Sequence, residues 1–153
     1  MYYIAYGSNL NMWQMSYRCP DAKPVGKSVM KGWRLVFNGV ATIVPDDEYD
    51  TPVGIWQISE RDEKALDRYE GYPYLYRKEY QTLVIKDKDG NERCEDALVY
   101  VMNEGRKMPF PPSESYYETI EEGYRNFKMD SSALKDALNE SFIYLSYPND
   151  FDE

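Results

Sequence analysis

Apolar residues fall in short runs bounded by polar or turn-forming positions, which points to strands over much of the chain. Tyr2 to Tyr6 is β-prone and runs directly into Gly7-Ser8-Asn9, predicting a strand followed by a tight polar loop. Asn9 is positioned to cap a short helix over about Met12 to Tyr17, which ends before Pro20. Leu35-Val36-Phe37 and Ala41-Thr42-Ile43-Val44 follow, with Asn38-Gly39 as a bend and Pro45-Asp46-Asp47 closing the second stretch. Val53 to Ile58 is a further strand. From Ser59 the period becomes helical: Ser59 and Asp62 form a capping-box-like start, Ala65, Leu66 and Tyr69 continue it, and Gly71 and Pro73 stop it. Tyr80 to Ile85 and Ala97 to Met102 return to strand, with Asp89-Gly90 as the hairpin signal. After Pro109, Pro111 and Pro112, Ser113 caps a helix from about Glu114 to Phe127, and Asp130 or Ser131 caps a last one through Leu134 and Leu138.

Five or six short strands around one mid-chain helix, with two helices at the end, predict an α+β fold: a small mixed β-barrel with surrounding helices. Residues 1–148 read as a single domain and 149–153 as an acidic, frayed tail.

Composition narrows the chemistry more than it narrows the fold. The 153 residues contain no histidine, which excludes a Ser-His-Asp triad, a Cys-His dyad and HExxH zinc chemistry. Cys19 and Cys94 are far apart and form no CxxC, so no cysteine-based metal site is expected. Any catalysis must come from carboxylates, hydroxyls, Lys, Arg or the backbone. With 27 acidic and 18 basic residues the net charge is −9, a poor match for a phosphate backbone, so nucleic acid is not an expected partner. Nothing resembles a signal peptide or a membrane span, and with two unpaired cysteines the chain reads as a cytoplasmic protein without a membrane partner. The 16 tyrosines suit either the core edges of a β-rich domain or a cavity for a polar small molecule.

Several segments invite a chemical reading. Gly26-Lys27-Ser28 lacks the glycine five positions earlier that a phosphate loop needs, since position 21 is Asp. It reads as a polar turn. Asp46, Asp47, Glu48 and Asp50 do not have calcium-loop spacing and read as a solvated loop. Tyr6-Gly7-Ser8-Asn9-Leu10 is either a plain strand-to-helix turn or a loop whose N–H groups converge on a carboxylate or an oxyanion. Glu70 ends the mid-chain helix, facing the negative end of its dipole, among Tyr69, Tyr72, Tyr74 and Tyr76. If these aromatics desolvate it, its pKa rises towards the range of a general acid/base; otherwise it is an exposed helix-end Glu. Tyr116 either reaches a cavity or belongs to the core, and Tyr117 is its neighbour and rival. Arg18 and Arg77 lie near enough to hold carboxylates structurally. Lys107 has no feature of a Schiff-base lysine.

Together these segments resemble the γ-glutamylcyclotransferase (AIG2-like) family. The resemblance rests on Tyr6-Gly7-Ser8-Asn9-Leu10, Arg18-Cys19-Pro20-Asp21-Ala22, Gly32-Trp33-Arg34-Leu35-Val36-Phe37 and Ala41-Thr42-Ile43. It continues through Gly54-Ile55-Trp56, Leu66-Asp67-Arg68-Tyr69-Glu70-Gly71-Tyr72-Pro73, Tyr76-Arg77 and Pro112-Ser113-Glu114-Ser115-Tyr116, in the family's order over about residues 1–130. The resemblance implies a small mixed barrel with an internal cavity and cleavage of a γ-glutamyl amide to 5-oxoproline and a free amine or amino acid, with no metal or organic cofactor. It implies Glu70 as the catalytic acid/base, Tyr6, Gly7, Ser8, Asn9 and Leu10 as the substrate-binding loop, and Tyr116 as a cavity tyrosine. The implied partner is a small γ-glutamyl molecule. The alternative is a non-catalytic ligand-binding or regulatory domain of the same fold. The leaving amine, and whether the protein is a monomer or a homodimer, stay open.

Overall fold

The computed structural model describes residues 1–146. The expected tail at 149–153 and the last two residues of the expected domain lie outside the described residues. The elements are β1 (Tyr2–Ala5), a 3-10 turn (Ser8–Leu10), α1 (Met12–Arg18), β2 (Lys23–Asn38), β3 (Val40–Gln57), α2 (Glu60–Glu70), β4 (Tyr76–Asp87), β5 (Glu92–Met102), α3 (Glu114–Asn126) and α4 (Ser132–Ser146). The strands close a barrel in the order β1-β3-β2-β4-β5. All pairings are antiparallel except β1 with β5, which closes the ring in parallel through Tyr2↔Ala97 and Tyr3↔Leu98. The fold is therefore the expected mixed α+β barrel. Among the described residues no helix is long and apolar enough to cross a membrane.

The described residues form five strands, within the expected five or six, but the strands are longer than the sequence suggested. β2 and β3 form one ribbon, turning at Gly39, that absorbs the separate stretches at 35–37, 41–44 and 53–58. Pro45-Asp46-Asp47 breaks the pairing register, since Trp33 pairs with Pro45 while Lys31 pairs with Asp50, but the strand continues through it. An irregularity of this kind bends a strand without ending it, so turn-forming residues made the strands look shorter than they are. Gly26-Lys27-Ser28 is likewise strand, not turn. A Cβ at Gly26 would stand 2.2 Å from the Lys86 carbonyl oxygen, so glycine is required where β2 crosses β4.

Ile4, Ile43, Ile55, Ile85 and Leu98 fill the core and are at most 1% exposed. Leu66 of α2, Ile120 and Tyr124 of α3, and Leu134 of α4 pack into the same core. Cys19 is buried, Cys94 is exposed, and both are free thiols.

The caps place the helices that frame the functional end. The Ser59–Asp62 capping box opens α2 in both directions, as its spacing predicted. Ser113 caps α3 by accepting from the Tyr116 N–H at 3.2 Å. The cap of α1 is Asn11 rather than Asn9: Asn11 Oδ1 accepts from Gln14 N at 3.0 Å, while its Nδ2 donates to Thr119 O and Glu122 of α3. The helix starts at Met12 as expected, but the intervening 3-10 turn separates Asn9 from it and leaves Asn9 buried and available for another role.

Candidate active site

Several elements meet at one end of the barrel around a cavity of about 280 Å³. The end of β1 supplies Tyr3 and Tyr6, its loop Gly7, Ser8 and Asn9, and the β2–β3 tip Val40 and Ala41. Tyr69 and Glu70 enter from α2, Leu75 and Tyr76 from the start of β4, Tyr100 from β5, Lys107 from the proline-rich loop and Tyr116 from α3. The proline-rich loop is tied to the hairpin tip, where Gly39 N donates to Phe110 O at 2.8 Å and Phe110 N to Phe37 O at 3.2 Å. A larger furrow of about 600 Å³ runs between β2 and β4; it is an open surface groove bordered by Ser28, Thr82, Glu92, Asp130 and several lysines, with no tyrosine in its lining among the described residues.

Glu70 is the only carboxylate lining this cavity among the described residues. It occupies the last position of α2 because Gly71 takes left-handed backbone, φ 66°, which ends the helix there. Its Oε1 accepts from Asn9 Nδ2 at 3.4 Å. Burial raises its pKa from the ordinary 4.5 to about 7, with the Arg18 guanidinium pulling the other way. The side chain as a whole is only half-buried because the cavity opens to solvent, but its carboxyl is enclosed by protein. Of the aromatics expected to desolvate it, Tyr69 and Tyr76 line the cavity, whereas Tyr74 is 75% exposed and Tyr72 packs on Tyr100 and Lys78.

The surrounding hydroxyls are held in place. Tyr6 Oη donates to Tyr100 O at 2.7 Å, Tyr76 Oη donates to Ala41 O at 2.6 Å, and Tyr116 Oη accepts from Ala41 N at 3.1 Å. Ser8 Oγ and Tyr69 Oη share a hydrogen bond of 2.8 Å. Tyr100 Oη donates to Asp67 at 2.5 Å. Burial raises the pKa values of Tyr3, Tyr6, Tyr76 and Tyr116 far above the physiological range, so these phenols stay neutral. Tyr116, not Tyr117, faces the cavity; Tyr117 packs on Phe37.

Six of the seven expected site residues thus come together: Glu70, Tyr6, Gly7, Ser8, Asn9 and Tyr116. Leu10 does not line the cavity. It is 0% exposed and faces Gly123 of α3, where a Cβ would stand 2.6 Å from Leu10 Cβ, and its N–H donates to Gly7 O at 3.0 Å. The N–H groups of Ser8 and Asn9 have no protein acceptor among the described residues. Tyr3, Tyr100, Val40 and Lys107 were not anticipated. Nothing local marks them, because their neighbours in the cavity are distant in sequence.

Fold and site together define a small barrel with a tyrosine-lined cavity built around one carboxyl whose pKa burial raises to about 7. The chain belongs to the family described as "Gamma-glutamyl cyclotransferase, AIG2-like", whose sequence model matches residues 3–124. No curated protein matches the chain by sequence. Among solved structures it is similar to one described as gamma-glutamyl cyclotransferase, with a TM-score of 0.72 and 21% identity over 90% of this chain and 85% of that one. It is also similar to the human protein loc79017, described as uncharacterized, with a TM-score of 0.71 and 20% identity over 89% of this chain and 85% of that one. YkqA from Bacillus subtilis matches with a TM-score of 0.69 and 23% identity over 91% of this chain and 54% of that one. At these identities the likenesses establish the fold.

Proposed function

We propose that the protein is an enzyme of the γ-glutamylcyclotransferase type. It cyclises a γ-glutamyl amide to 5-oxoproline and releases the attached amine or amino acid. The observation that carries this reading is the Glu70 carboxyl, enclosed beside the Gly7–Asn9 loop with a pKa of about 7. Near neutral pH it is present both as base and as acid, which a reaction that relays protons from the attacking to the leaving nitrogen requires.

The steps follow from the substrate's own geometry. Glu70 takes a proton from the α-ammonium of the γ-glutamyl group. The free amine attacks the γ-carbonyl carbon, forming the new C–N bond and placing negative charge on the carbonyl oxygen. The nucleophile is tethered, so folding the substrate into a ring-closing conformation supplies much of the rate. The unpartnered Ser8 and Asn9 N–H groups are donors for the oxyanion or the α-carboxylate. As the γ-carbonyl re-forms, Glu70 returns its proton to the leaving nitrogen and the bond to that nitrogen breaks. The ring nitrogen, which still carries one proton too many, gives it to the freed Glu70 carboxylate, which passes it to the released amine, leaving a neutral lactam and an ammonium ion. The result is an intramolecular acyl transfer that uses one carboxylate and hydrogen-bond donors.

The substrate is a small γ-glutamyl molecule, and Leu75 and Tyr76 at the entry to β4, with Lys107 of the proline-rich loop, border the side of the cavity through which the leaving group would extend. The exposed free thiol of Cys94 supports a reducing, cytoplasmic location. The test is 5-oxoproline release from a panel of γ-glutamyl dipeptides and γ-glutamyl amines, with wild type and Glu70→Gln in parallel. Release that disappears in the folded variant supports the reading; equal release from both sinks the role of Glu70.

A further inference from the structure

Arg18, the last residue of α1, touches the carboxylate's environment without hydrogen-bonding to the carboxylate. Its Nη1 donates a short hydrogen bond to Asn9 Oδ1, and its Nη2 donates to Gln14 Oε1, one turn back, at 3.2 Å. Its guanidinium lies flat on Tyr69, with Cζ 3.5 Å from the ring centroid. The other end of the Asn9 amide donates to Tyr3 Oη at 2.8 Å and to Glu70 Oε1 at 3.4 Å. Tyr69 in turn bonds Ser8, so the guanidinium braces both sides of the loop.

An asparagine amide has two ends of nearly equal shape and opposite polarity. Turned the wrong way, Asn9 would present its oxygen to the Glu70 carboxylate. A guanidinium offers only donors, so a bond to Oδ1 forces the NH2 group towards Glu70. We infer that Arg18 is a positioning residue of the reaction, acting through Asn9 to fix which end of that amide faces Glu70. A second effect is electrostatic. The groups facing Glu70 are Arg18 from α1, Lys107 from the proline-rich loop, Tyr69 on its own helix, and the neutral phenols of Tyr3, Tyr6, Tyr76 and Tyr116. Among the charged groups, Arg18 is the cation that opposes desolvation of Glu70. The inference rests on the acid/base reading of Glu70.

The test combines turnover with a direct titration of Glu70, followed by carbon-13 NMR of labelled glutamate carboxyls and assigned by the signal lost in Glu70→Gln. Arg18→Gln should raise the Glu70 midpoint by about one pH unit and move the acid limb of kcat/KM with it. At the alkaline plateau it should lower 5-oxoproline release about tenfold, but less than twofold on an Asn9→Ala background, because the path is already broken. Arg18→Lys keeps the cation without the planar fork, so it should restore the midpoint and leave the plateau low. It also serves if Arg18→Gln does not fold. An unmoved midpoint and acid limb with a lowered Tm would reduce Arg18 to a staple between α1 and α2. A full tenfold loss on the Asn9→Ala background would show that it does not act through Asn9. If wild type releases no 5-oxoproline from any substrate, the acid/base reading fails, while the carboxyl titration still decides the electrostatic part.

Discussion

The two ends of α2 each hold a buried carboxylate, and they are treated in opposite ways. At the N-terminal end Asp62 is 0% exposed, and it accepts from the N–H groups of Ser59 at 3.2 Å and Asp21 at 3.3 Å. It also lies at the positive end of the helix dipole. At the C-terminal end Glu70 has one hydrogen bond, at 3.4 Å, and faces the negative end of the dipole in a pocket of neutral phenols. A buried carboxylate with its acceptors filled holds structure together. One left short of donors has a raised pKa and a proton to exchange. The state in which Glu70 is left is the one the proposed acid/base role needs.

The largest effect expected from breaking this contrast is kinetic. Glu70→Gln keeps the shape of the side chain and removes its proton exchange, so 5-oxoproline release should fall by about 10³-fold. In wild type the base form is required, so kcat/KM should fall as pH drops below about 7, the value to which burial raises Glu70. A pH profile on one γ-glutamyl dipeptide checks both; an acid limb at an ordinary carboxylate value would break the contrast.

Next is stability, with the opposite sign. The native carboxyl holds its proton up to about 7, whereas the unfolded one releases it near 4.5. Between those values unfolding releases a proton, so rising pH destabilises the native state, and above about 7 the loss is complete. Glu70→Gln removes this penalty. It should stabilise the protein by at most about 3 kcal/mol at pH 8, trimmed by the open cavity mouth, and by nothing below pH 4. Urea melts of the two proteins at both pH values measure it.

Asp62→Ala should act in the reverse sense. It leaves the Ser59 and Asp21 N–H groups without their acceptor and should destabilise by about 2 kcal/mol, with turnover per folded molecule within about twofold of wild type. Thermal melts and an active-fraction assay separate the two. The smallest effect is expected at the helix stop: Gly71→Ala puts a Cβ at φ 66°, 3.3 Å from Leu75 Cβ, and should lower stability by about 1 kcal/mol. A loss of activity beyond the loss of folded protein would show that this stop also aims Glu70.

Local chemistry was legible where local forces decide. Ser59 with Asp62, Ser113 and Gly71 marked helix ends correctly, because caps and left-handed stops involve residues within a few positions of one another. The place of Glu70 at such a stop left it open whether the carboxyl is desolvated or exposed, and the family resemblance singled it out. Pro45-Asp46-Asp47 and Gly26-Lys27-Ser28 misled, because barrel pairing held both segments in extended strands despite their turn-like composition. Asn9 misled in a subtler way: a 3-10 turn gave the capping role to Asn11, whose amide is also tied to α3 more than 100 residues away.

The sequence by itself thus determined the barrel class and the exclusion of histidine-based catalysis, since these follow from spacing and composition; the candidate acid and its loop stood out only through the family resemblance. Tertiary structure alone decided the rest. It sent Leu10 to the core rather than the cavity, and brought Tyr3, Tyr100 and Lys107 around Glu70. It also placed Arg18 behind Asn9 instead of on a carboxylate. The physical reason is range: capping acts across a few residues, whereas desolvation and the orientation of a buried amide depend on every segment that reaches the same few ångströms of space.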